Sequence, residues 1–193
     1  MKSRQRLSIY LAAFILLGLV AGCATITPEQ RQNKAETVIS DWASYSRLAA
    51  AMLISKYGPP DRVKNDELTW DEKGPWKRMT VWDVSGRYYY SQAGAYNIEQ
   101  TISYRVPAEK RRALAVFSDN IRVSPDGAEL AARSKREELN LLTLNLACEI
   151  IVGTKDPFAA QRFYVLTLRL ADEGKSSPYM HQLLRRVAQP SGF

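Results

Sequence analysis

The sequence has little that supports metal, disulfide or nucleophilic chemistry: one histidine and two cysteines in 193 residues. A single histidine excludes a metal site built on a histidine pair, and two cysteines exclude a four-cysteine zinc site and a multi-disulfide framework. The chain also lacks a nucleophile-elbow serine motif and a glycine-rich phosphate-binding loop. We therefore predict no catalytic residues, no metal and no cofactor, and a protein that is not an enzyme.

The composition is that of an ordinary globular protein. Apolar residues make up 46% of the chain and charged residues 24%, which excludes wholesale disorder. No internal repeat or low-complexity tract is present, and the length fits one domain.

The first residues carry the strongest signal in the sequence. Lys2, Arg4 and Arg6 give a positive start without any acid, and an apolar run follows from residue 7 to residue 21. Small residues then stand at Gly22 and at the position before it, as at a secretory cleavage point. We predict that residues 1–22 are a cleaved signal peptide.

The segment Val20-Ala21-Gly22-Cys23 resembles the lipobox of bacterial lipoproteins, which reads aliphatic, small, glycine or alanine, then cysteine. This resemblance implies that Cys23 carries a thioether-linked diacylglycerol and an acylated amine after cleavage. Three acyl chains would hold the protein stably, because a single chain binds a bilayer only marginally. Ala24, in place of aspartate, implies sorting to the outer membrane, with the protein facing the periplasm.

Two other interpretations of the N-terminus stay open. Residues 7–26 approach the roughly 20 apolar residues of a membrane span, and ordinary secretion would also use such a leader. Loss of residues 1–22 lowers the net charge from +7 to +4, because it removes three basic residues and no acid. We expect the membrane, through the N-terminal lipid, and an envelope protein as partners, and no nucleic acid.

The rest of the chain is predicted to have an α+β fold: an N-terminal helix, a small antiparallel sheet and C-terminal helices packed together. Thr27, Pro28 and Gln30 form a capping box for a helix that ends at Gly58-Pro59-Pro60. Strands are predicted at 68–70, 77–84, 87–90 and 98–106. A turn over 71–75 separates the first two, and a loop around Gly94 precedes the last. A short helix to Phe117 and a hairpin around Pro125-Asp126-Gly127 follow.

Three C-terminal helices complete the prediction. A second capping box, Ser134 with Glu137, precedes a buried helix over 139–152 that ends at Gly153. Asp156-Pro157 starts the next, with Ala159, Phe163, Leu166 and Leu170 on one stripe, and Ser177-Pro178 starts a helix to about Val187. The domain is predicted over 28–188, after a lipidated tether at 23–27 and before a frayed tail at 189–193.

The helix end Tyr57-Gly58-Pro59-Pro60-Asp61, followed by Trp-bearing strands, resembles the SmpA/OmlA-type small outer-membrane lipoproteins. In those proteins, which accompany outer-membrane barrel assembly, a Gly-x-Pro turn also joins a helix to a sheet. The resemblance covers only residues 45–90, and the long helical third and the Tyr88-Tyr89-Tyr90 run depart from it. It implies an architecture and not a shared function.

Isolated reactive residues have ordinary structural interpretations. Cys148 lies in an apolar segment and is predicted to be a buried, inert thiol, while His181 is predicted to be a surface or half-buried residue. The adjacent acids stand at turns and helix ends, where negative charge is common, rather than across a cleft.

Aromatic residues between 70 and 104 are the main binding candidates, while packing in the core with some exposure at its edge is the favoured alternative for the group. Three successive residues of one strand cannot all face the core, so Tyr88, Tyr89 and Tyr90 must expose at least one ring. Trp76, beside Gly74-Pro75, is predicted to be an exposed anchor for a partner. These residues suggest an adaptor or structural protein. The alternatives are a carrier with an apolar cavity between sheet and helices, and an enzyme with an unrecognised site.

Overall fold

A computed structural model describes residues 26–84 and 96–184 of the chain. The described part is α+β, as predicted. It contains helices α1 (Pro28–Ser40), α2 (Ser44–Tyr57), α3 (Arg111–Phe117), α4 (Glu137–Val152) and α5 (Pro157–Asp172). Its strands are β1 (Arg62–Val63), β2 (Glu67–Lys73), β3 (Trp76–Trp82), β4 (Ile98–Ser103), β5 (Ile121–Val123) and β6 (Glu129–Ser134). Several predictions fall outside the described residues: the predicted signal peptide, Cys23, the predicted strand at 87–90 with Tyr88, Tyr89 and Tyr90, and the predicted tail at 189–193.

The N-terminal helix begins as predicted but does not run unbroken to residue 57. Thr27 Oγ1 accepts a hydrogen bond from the Gln30 amide at 3.2 Å, and Gln30 Oε1 accepts from the Thr27 amide at 2.8 Å. The helix then breaks after Ser40. Trp42 turns into the core at this break and donates to the Asn65 carbonyl at 2.7 Å, so a tertiary contact divides the predicted helix in two.

The six strands form one antiparallel sheet in the order β1-β2-β3-β4-β6-β5. One face is apolar, because the register aligns Leu68, Val81 and Ile98 across three strands. Helix α4 packs over β4 and β6, and α2 packs over β3, so these two helices cover the apolar face. The predicted hairpin around Pro125-Asp126-Gly127 is confirmed by the pairing of β5 with β6.

The opposite face of the sheet carries paired charges. Arg62 lies 2.5 Å from Asp71, Arg78 2.7 Å from Glu129, and Arg133 2.9 Å from Glu99. The guanidinium of Arg133 also stacks over the Trp82 ring, 4.5 Å from its centroid. Cross-strand pairs of opposite charge favour this register over a shifted one.

The β2–β3 hairpin is tighter than the predicted turn over 71–75. The strands pair up to Lys73 and Trp76, which leaves Gly74-Pro75 as the loop. Lys77 and Arg78 both contact Glu129, so strict side-chain alternation is interrupted here. The interruption lies beside Glu72, whose φ of 50° is unusual for a residue other than glycine.

Helix α4 is the central helix, and its burial and its end at Gly153 are confirmed. The predicted capping box is wrong, because Ser134 Oγ donates to the Arg136 carbonyl instead of capping the helix. The Glu137 side chain points towards α2 and the sheet, where it finds four donors described below. A tertiary network therefore replaces the local cap.

Helix α5 starts as predicted, with Asp156 accepting from the Ala159 amide at 2.8 Å. Its predicted apolar stripe is wrong at Leu166, which is 51% exposed, because Ala160 and Thr167 face the core instead. Of the third predicted helix, the described residues, which end at 184, form only a single 3-10 turn at Pro178–Met180. The buried Asn145 side chain explains this difference: it bonds the Tyr179 and Gln182 carbonyls and the Leu184 amide, groups that a regular helix would pair internally.

Candidate functional site

Trp76 does not lie at the surface, and its predicted role as an exposed anchor is wrong. The side chain is 1% exposed. Its Nε1–H lies 2.9 Å from both Tyr57 Oη and Glu137 Oε1. The Gly74-Pro75 turn predicted exposure, but the interrupted alternation in β3 directs the indole towards α2 and α4.

Glu137 is the centre of the polar group that receives Trp76. Its carboxylate accepts from Lys56 at 2.5 Å, from Gln100 at 3.0 Å, from Trp76 and from Tyr57. We call these five residues the Glu137 cluster. The cluster joins α2, β3, β4 and α4, whose sequence positions span more than eighty residues.

Electrostatics keep the Glu137 cluster in one protonation state. Burial opposes the charge on Glu137, but the hydrogen bonds from Lys56 and Tyr57 outweigh it and lower the pKa of the carboxyl below 4.5. Burial raises the pKa of Tyr57, and its bond to Glu137 adds to that rise. Lys56 is partly desolvated, yet Glu137 raises its pKa. A carboxylate held by four donors is suited to fixing the fold rather than to proton transfer.

Asn140 forms a second layer behind the cluster. Its amide donates to Gln100 Oε1 at 3.0 Å and to the Ile98 carbonyl at 3.2 Å. Asn140 Oδ1 has no hydrogen-bond partner in the described structure. Gln100 is therefore held from both sides, which fixes its amide towards Glu137.

A small cleft opens beside the Glu137 cluster, between α2 and the start of α4. Its volume is about 120 Å³. We call it the α2–α4 cleft, and its lining combines an apolar floor with a charged rim: Ala49, Met52, Leu53, Lys56, Ile98, Lys135, Arg136, Glu137 and Glu138. Met52 is 53% exposed at its mouth. Glu138 lines the cleft, but its Oε2 is buried and has no hydrogen-bond partner among the described residues.

Large exposed apolar side chains lie on the helical layer. Those of the described ranges are found on α2, α3, α4 and α5, or just before α1, and none is on the sheet: Ile26, Leu48, Met52, Val116, Val152, Phe158, Val165 and Leu166. The charged sheet face therefore contrasts with a more apolar helical side. A contiguous apolar patch marks a docking surface, whereas single exposed apolar side chains are common.

One side of α5 concentrates this apolar surface. Phe158, Arg162, Val165, Leu166 and Arg169 are all exposed, and we call them the α5 face. Their spacing places them within a band of about 100° around the helix. The last four, with Gln161, line an open groove of about 330 Å³.

The isolated reactive residues behave as predicted. Cys148 is buried, and burial raises the pKa of its thiol to about 12. The neighbouring Tyr104 also has its pKa raised to about 12, mainly by burial. His181 is exposed, with Nε2 2.7 Å from Ser176 Oγ. Within residues 26–84 and 96–184, no group of three His, Cys, Asp or Glu side chains is placed to hold a metal ion.

No helix within the described ranges combines the length and the apolarity needed to cross a bilayer. Comparisons with protein-family models, curated proteins and solved structures found no match to the chain.

Sequence reasoning missed the Glu137 cluster, although one signal was present. Gln100 shares a face of β4 with Ile98 and Ile102, and a polar residue in an apolar stripe indicates a buried partner. Lys56, Tyr57 and Glu137 gave no such signal, because each stands near a helix end where charged and polar residues are common.

Proposed function

We propose that this protein is a lipid-anchored, non-enzymatic adaptor of the bacterial cell envelope, attached to the outer membrane and facing the periplasm. The anchor is argued from Val20-Ala21-Gly22-Cys23 and the apolar leader before it. The α2–α4 cleft is the observation that carries the adaptor role, since it offers a preformed receptor for part of a partner protein.

The cleft suits a single apolar side chain. Its volume of about 120 Å³ is below the several hundred cubic ångströms of most small-molecule sites. Met52 and Leu53 supply apolar contact. The Glu137 cluster fixes both walls, so little conformational entropy is lost when the cleft is filled.

The lipid anchor strengthens any such contact with another membrane protein. Attachment confines the domain near the bilayer and raises its effective concentration for partners there. A modest cleft contact then suffices to hold the two proteins together.

The anchor is tested by Cys23→Ser, with Cys148→Ser as its matched control. We expect Cys23→Ser to abolish lipidation and to leave the leader uncleaved, so the chain keeps its apolar segment and does not reach the outer membrane. Cys148→Ser should be processed, lipidated and anchored like the unmodified chain. Mass spectrometry of the N-terminus reports processing and lipidation, and membrane fractionation reports membrane attachment. An intact Met1 in the unmodified chain, or unchanged processing in Cys23→Ser, contradicts the anchor.

The adaptor role is tested by crosslinking in intact cells followed by pulldown of the full chain. We expect a reproducible envelope protein, and Met52→Ala should reduce its recovery about tenfold, because a central interface side chain contributes about 1–2 kcal/mol. Val152→Ala, an exposed apolar change at the end of α4, is the control. Copurified lipid without a protein would favour the carrier alternative instead.

A further inference from the structure

We propose that the α5 face rests on an anionic phospholipid surface, with its apolar side chains in the interfacial layer and Arg162 and Arg169 on lipid phosphates. This inference rests on the proposed lipid anchor, which brings the domain to a bilayer. It adds a second, orienting contact that the anchor alone does not provide.

Side-chain chemistry supports a lipid surface. Phe158 is 62% exposed and Val165 56% exposed, and their exposure to water is unfavourable by the hydrophobic effect. Arg162 and Arg169 flank Val165 along the same band, and neither forms a salt bridge with a described residue. A helix face that combines exposed apolar side chains with arginines is suited to the plane of an anionic interface.

The distribution of acids along α5 agrees with this orientation. The helix has no acid between its cap at Asp156 and its last residue, Asp172. The exposed Glu173 just beyond is paired with Lys175 at 3.0 Å. The middle of the face, where the groove of about 330 Å³ lies, is therefore positive.

A second copy of the chain fits this face poorly. A two-fold antiparallel pairing of α5 about Val165 and Leu166 would place Arg162 of one copy opposite Arg169 of the other. Like charges directly opposite one another destabilise such a contact. Lipid phosphates remove this repulsion and supply the missing negative charge.

The experiment uses the full chain, purified from bacterial membranes and reconstituted in phosphatidylcholine vesicles with or without phosphatidylglycerol. Leu166→Cys, labelled with an environment-sensitive fluorophore, reports on the α5 face, and Leu48→Cys on α2 is the matched exposed control. We expect the label at 166, and not the label at 48, to shift to the blue and resist an aqueous quencher only when phosphatidylglycerol is present.

Combining Arg162→Gln with Arg169→Gln tests the charge contribution. The ratio of inserted to water-exposed label should fall roughly fivefold for each arginine lost, because each cation near an anionic surface contributes about that factor. Unchanged insertion of the double variant, or an aqueous label at 166 in anionic vesicles, overturns the proposal.

Two further measurements distinguish a failure of the proposed lipid anchor from a failure of the proposed α5–lipid contact. Flotation of the chain with the vesicles reports the anchor independently, so a floating chain with an aqueous label at 166 disproves only the α5 contact. A label that is protected in native envelopes but not in protein-free anionic vesicles indicates a protein on this face and also overturns the lipid proposal.

Discussion

At the scale of single residues, the hydrogen-bond partners of buried polar side chains determine how this structure differs from the sequence prediction. Glu137 was expected to serve its own helix, yet it gathers donors from α2, β3 and β4. The buried Trp76 indole donates its N–H to the Glu137 carboxylate, since a buried indole N–H requires an acceptor. Glu137 is therefore not a helix cap and Trp76 is not an exposed binding residue. Both side chains stabilise the folded core.

The charge of Glu137 should make stability depend on pH. Because its folded pKa lies below the ordinary 4.5, its stabilisation is present above pH 4.5 and is lost as the pH falls through the folded pKa. Glu137→Gln should be less stable than the unmodified chain at neutral pH, and the gap should narrow below pH 4.5. Urea unfolding across this pH range measures it.

Tyr57→Phe is the comparison variant for this prediction, because it removes one donor and leaves the Lys56 cation in place. Without this donor the folded pKa of Glu137 lies closer to its ordinary value, so the acid-induced loss of stability should be smaller and should level off at a higher pH than in the unmodified chain. A gap between the unmodified chain and Glu137→Gln that stays constant from neutral pH to pH 3 would contradict the role assigned to the charge.

Substitution of Trp76 should lower stability rather than binding. Trp76→Phe removes the N–H that faces a buried carboxylate, and we expect a loss of about 2 kcal/mol in the free energy of unfolding. Trp82→Phe is the control. Trp82 also donates to a carboxylate, that of Glu67 at 2.9 Å, but on the outer sheet face, where the loss should be at most about 1 kcal/mol. Equal losses would contradict this difference.

At the scale of elements, helix and strand ends divide into two kinds. Local chemistry sets the start of α5 at Asp156 and the start of α1 at Thr27, and both were predicted. The break after α1 and the shortened last helix depend on Trp42 and Asn145, which contact residues far along the chain. Ends of the first kind follow from sequence, and ends of the second kind do not.

Two glycines at element ends offer a matched test of backbone strain. Gly153 and Gly127 have φ of 83° and 73°, but only at Gly127 would a Cβ collide, lying 2.8 Å from the Val106 carbonyl oxygen. Gly153→Ala should cost about 1–2 kcal/mol from its left-handed conformation alone. Gly127→Ala should cost more, because the backbone must also move. Thermal or urea unfolding of the two variants checks this order, which equal losses would contradict.

At the scale of the whole molecule, the two surfaces differ. The outer sheet face is covered by ion pairs between strands, while the helical side exposes apolar residues on α2 and α5. The proposed partner contact in the α2–α4 cleft and the proposed lipid contact of the α5 face both lie on the helical side. This arrangement leaves the charged sheet face to water.

Cys148 provides a measure of opening of the whole core. It lies in the middle of α4 at 1% exposure, with a thiol pKa of about 12, so the folded chain should react very slowly with an alkylating reagent at pH 8. We expect the rate to rise with urea in parallel with the loss of helical circular dichroism, because the thiol becomes accessible only on global unfolding. Rapid alkylation under native conditions would contradict this placement.

The sequence by itself determined the α+β class, the β5–β6 hairpin, the buried central helix and the caps at Thr27 and Asp156. These features depend on periodicity and on contacts a few residues apart, which the order of residues contains directly. Only the tertiary structure decided that Trp76 is buried, that Glu137 gathers distant donors and that Leu166 faces outward. Those outcomes depend on which side chains the sheet register and helix packing bring into contact. These side chains are far apart in the sequence, so a local sequence pattern does not specify their contacts.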